Sequence, residues 1–83
     1  MRRYAFVDPK DEVKKVMIYE VEQDIYVFTY GTLEDVPCTK DYWFETLMEA
    51  EEYCEDRFGR LEWIQIEDPR QGESQDLINP QNQ

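Results

Sequence analysis

The sequence predicts an α+β domain: a small antiparallel sheet of about four strands, in the order βββαβ, with one helix packed on one of its faces. Three observations lead there. Residues 3–30 break into short β-rich runs separated by turn residues, residues 46–59 carry one helix with signals at both ends, and residues 61–67 return to a strand pattern. A chain of 83 residues has room for one modest core, and a composition with 41% hydrophobic and 14% aromatic residues is too rich for a disordered one. We therefore expect a single domain over residues 1–69 and a polar, mobile tail over residues 70–83.

Arg3–Val7 alternates and stops at Asp8-Pro9, a turn signal, so it is expected as the first strand. The polar stretch Lys10–Lys14 connects it to Lys15–Glu22, the second. Gln23-Asp24 reads as a tight break. Ile25–Tyr30 then has a β-branched or aromatic residue at every position, the strongest strand signal in the chain, and Gly31 ends it. Such short connections make the three segments an antiparallel meander. Residues 32–45 are less regular: Pro37 interrupts them, and Asp41-Tyr42-Trp43-Phe44 is expected as a short extended piece leading into the helix. Thr46-Leu47-Met48-Glu49 is a capping box, in which the threonine hydroxyl accepts from the third helical amide and the glutamate reaches back. The helix runs to about Phe58, where Gly59 supplies a left-handed stop. At the helical period Leu47, Ala50, Cys54 and Phe58 share an arc of roughly 80°, with Tyr53 at its margin, and that stripe is expected to dock on the sheet. Leu61–Glu67 closes the domain as a strand beside the first, and Asp68-Pro69 stops it. Beyond Arg70 the composition turns to Gln, Asn, Gly, Ser and Pro, with Leu77-Ile78 as its one apolar anchor.

Charge is distributed unevenly over these elements. Residues 16–56 hold twelve acids and one base, Lys40, which equals the net charge of −11 for the whole chain. Asp41 to Asp56 is the densest part, with seven acids and no base. On the helix, Glu45, Glu49, Glu52 and Asp56 gather on one side, flanked by Glu51 and Glu55. Like charges three or four residues apart destabilise a helix by about 0.2–0.5 kcal/mol per pair, and acids in the last turn oppose its dipole. The pattern is therefore not one that helix stability alone selects. It is read either as a solvated face or as a docking surface for something basic. A second surface follows from strand alternation: Tyr26, Phe28 and Tyr30 point to one side of the third strand. One helix covers a single face of a four-stranded sheet, which leaves these residues, with Trp43, as an apolar partner-facing surface unless the tail or the Asp41–Phe44 segment folds over it.

Several function classes lack their residues. The chain contains no histidine, so Ser-His and Cys-His pairs are impossible and the commonest metal ligand is absent. Three glycines make no phosphate loop, and Asp8, Asp11 and Glu12 share a loop without the spacing of a calcium site. We expect no catalytic residue, cofactor or metal. Cys38, beside Pro37, and Cys54, on the apolar helix stripe, read as free thiols rather than a disulfide. The acidic balance disfavours nucleic acid as a partner. No apolar run is long enough to span a membrane, and Tyr4–Val7 is too short for a signal peptide, so a cytoplasmic location is expected.

The run YVFTYGTLEDVPCTKDYWFETLMEAEEYC, followed by Trp63-Ile64-Gln65-Ile66-Glu67-Asp68-Pro69 and by Gln75-Asp76-Leu77-Ile78-Asn79-Pro80, resembles a group of small bacterial proteins with no assigned activity. The resemblance covers most of the chain, from about Tyr4 to Pro80, and its most particular pieces are Cys38, Asp41–Phe44, Ala50–Cys54 and Trp63–Pro69. The group's pattern continues with a second cysteine-containing turn, a histidine and a tryptophan, where this chain has Gly72–Leu77 with none of the three. The resemblance implies a stand-alone bacterial domain and brings no activity with it.

The expectation is thus a small non-enzymatic binding protein with a basic protein partner or a second copy of itself. Glu45, Glu49, Glu52, Glu55 and Asp56 form its acidic surface, and Tyr26, Phe28, Tyr30 and Trp43 its apolar one. An alternative is an immunity or inhibitor protein that neutralises a basic enzyme such as a nuclease toxin. A third class, an enzyme using carboxylates and tyrosines at a dimer cleft, ranks last.

Overall fold

The computed structural model describes residues 1–78. It is an α+β fold with one antiparallel sheet of five strands: β1 (Arg2–Phe6), β2 (Lys15–Val21), β3 (Asp24–Tyr30), β4 (Lys40–Phe44) and β5 (Ile64–Ile66), with helix α1 (Leu47–Phe58) between the last two. The spatial order is β4-β3-β2-β1-β5. The meander β1–β2–β3 forms the centre, and the last strand lies against the first, with Arg2 opposite Ile66 and Tyr4 opposite Ile64.

Besides a one-residue shift of β1 from the expected Arg3–Val7, three features differ from the sequence expectation. The sheet has five strands rather than four, because Lys40–Phe44 pairs along β3, with Tyr42 opposite Val27 and Trp43 opposite Tyr26. The strong β3 has two edges to satisfy, and β2 fills only one of them. The β2–β3 hairpin turns on Glu22-Gln23, between the paired Val21 and Asp24, so Asp24 opens β3. Glu22 sits at φ 51°, a left-handed conformation that costs a residue with a Cβ about 1–2 kcal/mol. Finally, β5 keeps only three of the seven residues expected, since Leu61 and Trp63 pack into the core beneath the helix instead.

The helix forms for the reasons its sequence states. The Glu49 amide donates to Thr46 Oγ1 at 3.1 Å and the Thr46 amide to Glu49 Oε1 at 3.2 Å, which completes the capping box. At the other end Gly59, at φ 80°, donates its amide to the Glu55 carbonyl at 2.8 Å. Ala50 and Cys54 are fully buried against Ala5, Val7, Val16, Ile18, Ile25 and Val27, with Leu47, Tyr53 and Phe58 around them. That is the front core. Tyr53 lies 5.3 Å from the Tyr42 ring and 5.4 Å from that of Phe44, so the helix folds back over the β3–β4 side of the sheet.

A second cluster, Met17, Tyr19, Phe28 and Tyr30, fills the back of the sheet. The segments 31–39 and 70–78 close over it. Arg2, only 3% exposed, donates through Nε to the Glu67 carbonyl and through Nη1 to the carbonyls of Gln75 and Leu77, at 2.8–2.9 Å. Tyr30 donates its hydroxyl to the Asp76 carbonyl. Asp76 in turn accepts from the Cys38 amide at 2.7 Å, and the Ile78 amide donates to Asp35 at 3.2 Å. Lys15, equally buried, lies over the Tyr30 ring and donates to the Glu34 carbonyl at 2.9 Å. Two cations from the basic first fifteen residues thus tie down the covering segments through main-chain oxygens. The polar tail expected over 70–83 is seated in this way as far as Ile78, and its remainder lies outside the described residues.

Candidate functional site

The acidic helix surface is assembled by the capping box and the buried stripe together. Once Ala50 and Cys54 face the sheet, the helical period turns Glu45, Glu49, Glu52 and Asp56 to the opposite side, and all four are exposed. Glu55 is exposed on the flank nearer β1 and β5. Of these acids only Glu49 has an internal role, in the capping box. Glu45, Glu52, Glu55 and Asp56 form no hydrogen bond or ion pair within the described residues, whereas Glu51 is paired with Arg3. In the middle of this surface is Met48, 68% exposed, in a shallow depression it shares with Glu51, Glu52, Glu55 and Asp56. A methionine ringed by carboxylates matches the aliphatic stem and cationic head of lysine or arginine. Sequence reading passed over Met48. The signal was present, since it is the one large apolar residue of the helix that falls outside the buried stripe.

On the other side of the helix a groove is lined by Glu51, Cys54, Glu55, Gly59, Arg60, Leu61 and Trp63. The Arg3 guanidinium packs on two of these residues, 5.2 Å from the centre of the Trp63 ring and paired with Glu51. Arg57, at the helix end, is bound through both terminal nitrogens by Asp11 at 2.8 and 3.0 Å. This pair, helped by the Val13 amide, holds the Asp11 carboxyl down at about 2. The Asp8–Glu12 loop therefore commits its central carboxylate to an arginine. Among the described residues no group of three acids or cysteines is placed to hold a metal ion.

The apolar surface expected behind the sheet is corrected by the structure. Phe28 and Tyr30, 6% and 1% exposed, lie beneath the segments around Cys38 and Ile78 and are not available to a partner. The cause is the pair of buried cations described above, which anchors those segments over the rings. Tyr26 is half-buried and stacked on Phe28 at 6.1 Å. Only Trp43 stays open, 54% exposed on β4, with Nε1 donating to Asp24 at 3.0 Å. The β4 edge carries two exposed aromatics, Tyr42 on the helix side and Trp43 on the other, while Phe6 is exposed at the end of β1.

Cys38 belongs to the back cluster and Cys54 to the front one, so the sheet separates them and both are free. Burial, with the Asp76 carboxylate added, pushes the Cys38 thiol up to about 12, and burial, with the Glu51 carboxylate nearby, does the same for Cys54 against the opposing charge of Arg3. The Tyr30 hydroxyl is raised by burial as well. At neutral pH none of the three is ionised, and a protonated thiol is a poor nucleophile. Among the described residues no helix is long and apolar enough to cross a membrane.

No family model, no curated protein and no solved structure matches the chain. The function is therefore argued from the surface alone.

Proposed function

We propose that this small acidic domain is a non-enzymatic protein-binding module whose outer helix surface docks a basic protein partner. One observation carries the reading: the exposed Met48 sits among Glu51, Glu52, Glu55 and Asp56, an apolar centre with an acidic rim. Hydrophobic centres with charged rims are how transient interfaces are built. The uncompensated acids of the helix add long-range attraction, which raises association rates with a basic surface by 10–10³-fold. An inhibitor of a basic enzyme is one form such a module takes.

The test is recovery of partners from cells of the source organism on two columns, one carrying the natural protein and one the Glu52→Gln/Asp56→Gln variant. A protein that is retained only by the natural chain, and released by moderate salt, supports the reading. Partners retained equally by both columns overturn it.

A further inference from the structure

We propose that the open edge of β4 accepts an extended segment of the basic partner as a sixth strand, with basic side chains on the helix side and apolar ones on the other. The inference rests on the reading of the protein as a binder of basic partners and names how such a partner is held.

The two edges of the sheet are built differently. On one side β5 is three residues long, flanked by Glu62 and Glu67 and followed by Pro69, the short and charged edge that discourages pairing. On the other side β4 is five residues long, and no strand lies beyond it among the described residues. In an edge strand, alternate N–H and C=O groups face away from the sheet and are free to pair with another chain. Lys40 guards the start of β4, but Tyr42-Trp43-Phe44 carries no charge and no proline. Tyr42 and Trp43 are exposed on opposite faces of this stretch. Five strand residues span about 17 Å, enough for the main-chain bonding that gives strand addition its affinity.

Charge selects the occupant. On the helix side, Tyr53 packs on both Tyr42 and Phe44, and Glu49 and Asp56 lie one helical turn before and after it. Glu45 follows the strand directly. The nearest base of the helix, Arg57, is already committed to Asp11. A strand added outside β4 would therefore place the side chains of its helix-side face beside Glu45, Glu49 and Asp56. Its other face would meet the exposed indole of Trp43, with the exposed Asp41 two residues before it. Successive side chains of a strand alternate between faces, so the fitting sequence alternates lysine or arginine with valine, isoleucine or a similar apolar residue. A second copy of this chain fits poorly, because each copy would bring its own acidic helix to the same edge.

The experiment is a titration of the isotopically labelled full chain with an eight-residue peptide alternating Lys and Val, followed by amide NMR at low salt. A control peptide of the same sequence is N-methylated at every residue, which removes the hydrogen-bond donors of both edges and keeps the charge. The proposal expects the largest shifts at residues 40–44 and new exchange protection of their outward amides. It also expects binding at least tenfold weaker for the methylated peptide. Equal binding of both peptides, with shifts confined to residues 45–56, would overturn strand addition while leaving the acidic surface as the docking site. No binding of either peptide would overturn the edge as well, and the two-column comparison would then decide the broader reading by itself. Shifts at residues 40–44 that grow with protein concentration in the absence of peptide would mean that a second copy takes the edge, again against the proposal.

Discussion

If the outer acids of α1 serve a partner, removing them relieves the helix. The most informative perturbation is Glu52→Gln with Asp56→Gln, leaving Glu49 in place because it closes the capping box. The double change removes three like-charge neighbours: Glu49–Glu52, Glu52–Glu55 and Glu52–Asp56. At about 0.2–0.5 kcal/mol each, the relief is about 0.6–1.5 kcal/mol. Asp56 also lies in the last turn, where a negative charge opposes the helix dipole, and neutralising it adds a few tenths of a kcal/mol or more. Neither side chain makes a hydrogen bond or ion pair within the described residues, so nothing in the structure offsets this gain. The sum is about 1–2 kcal/mol, which in a domain of this size raises Tm by about 5–10 °C. Thermal melts followed by circular dichroism, with urea titrations for the free energy, measure it directly. Salt should raise the Tm of the natural protein more than that of the variant, since only the former has the repulsion to screen. A variant that melts lower than the natural protein would refute the reasoning, because the acids would then be holding the fold together.

Other expectations concern the parts that sequence reading left open. Arg2→Met keeps much of the buried stem but removes three hydrogen bonds to main-chain oxygens. At a net cost on the order of 3 kcal/mol, amide exchange in residues 75–78 should speed up by about two orders of magnitude, and unchanged exchange there would mean that Arg2 does not hold the segment. Cys38 and Cys54, both pushed up to about 12, favour the protonated fold. The stability this lends is complete below the ordinary thiol value near 9.0 and is lost as pH rises from there through about 12. The urea midpoint should accordingly fall across that window, and a flat profile would contradict the burial of the thiols. Glu22→Asn should stabilise the hairpin by about 0.5–1 kcal/mol, since asparagine tolerates the left-handed conformation better; a lower urea midpoint would show that the turn is not strained.

What was legible in the sequence was local. Ile25–Tyr30 and Lys15–Val21 announce themselves by β-branched and aromatic residues, and α1 by its capping box, its stripe and Gly59. The acidic surface came from the same helical period. β4 was harder, because an edge strand exposed on both sides has no burial alternation, and four of its five residues are exposed. Only pairing to β3 makes it a strand. The closed back face was legible only as one of two alternatives: Leu77-Ile78 offered a cover for it, but no residue pattern showed what would hold that cover in place. It depends on Arg2 reaching the carbonyls of Gln75 and Leu77, and main-chain acceptors leave no mark in a sequence. Nothing in the first fifteen residues, with five bases against three acids, distinguishes Arg2 and Lys15, which are buried anchors, from the other bases there. That is why Phe28 and Tyr30 were expected at a partner-facing surface and are found inside.

We propose that the outer surface of α1, together with the neighbouring edge, is where a basic protein docks. Its most direct test is amide shift mapping of the labelled chain with the partner recovered on the natural-protein column. The perturbed amides should fall within residues 40–56, centred on Met48, Glu52 and Asp56. Perturbations centred instead on β5 or on the Asp8–Lys14 loop would contradict it.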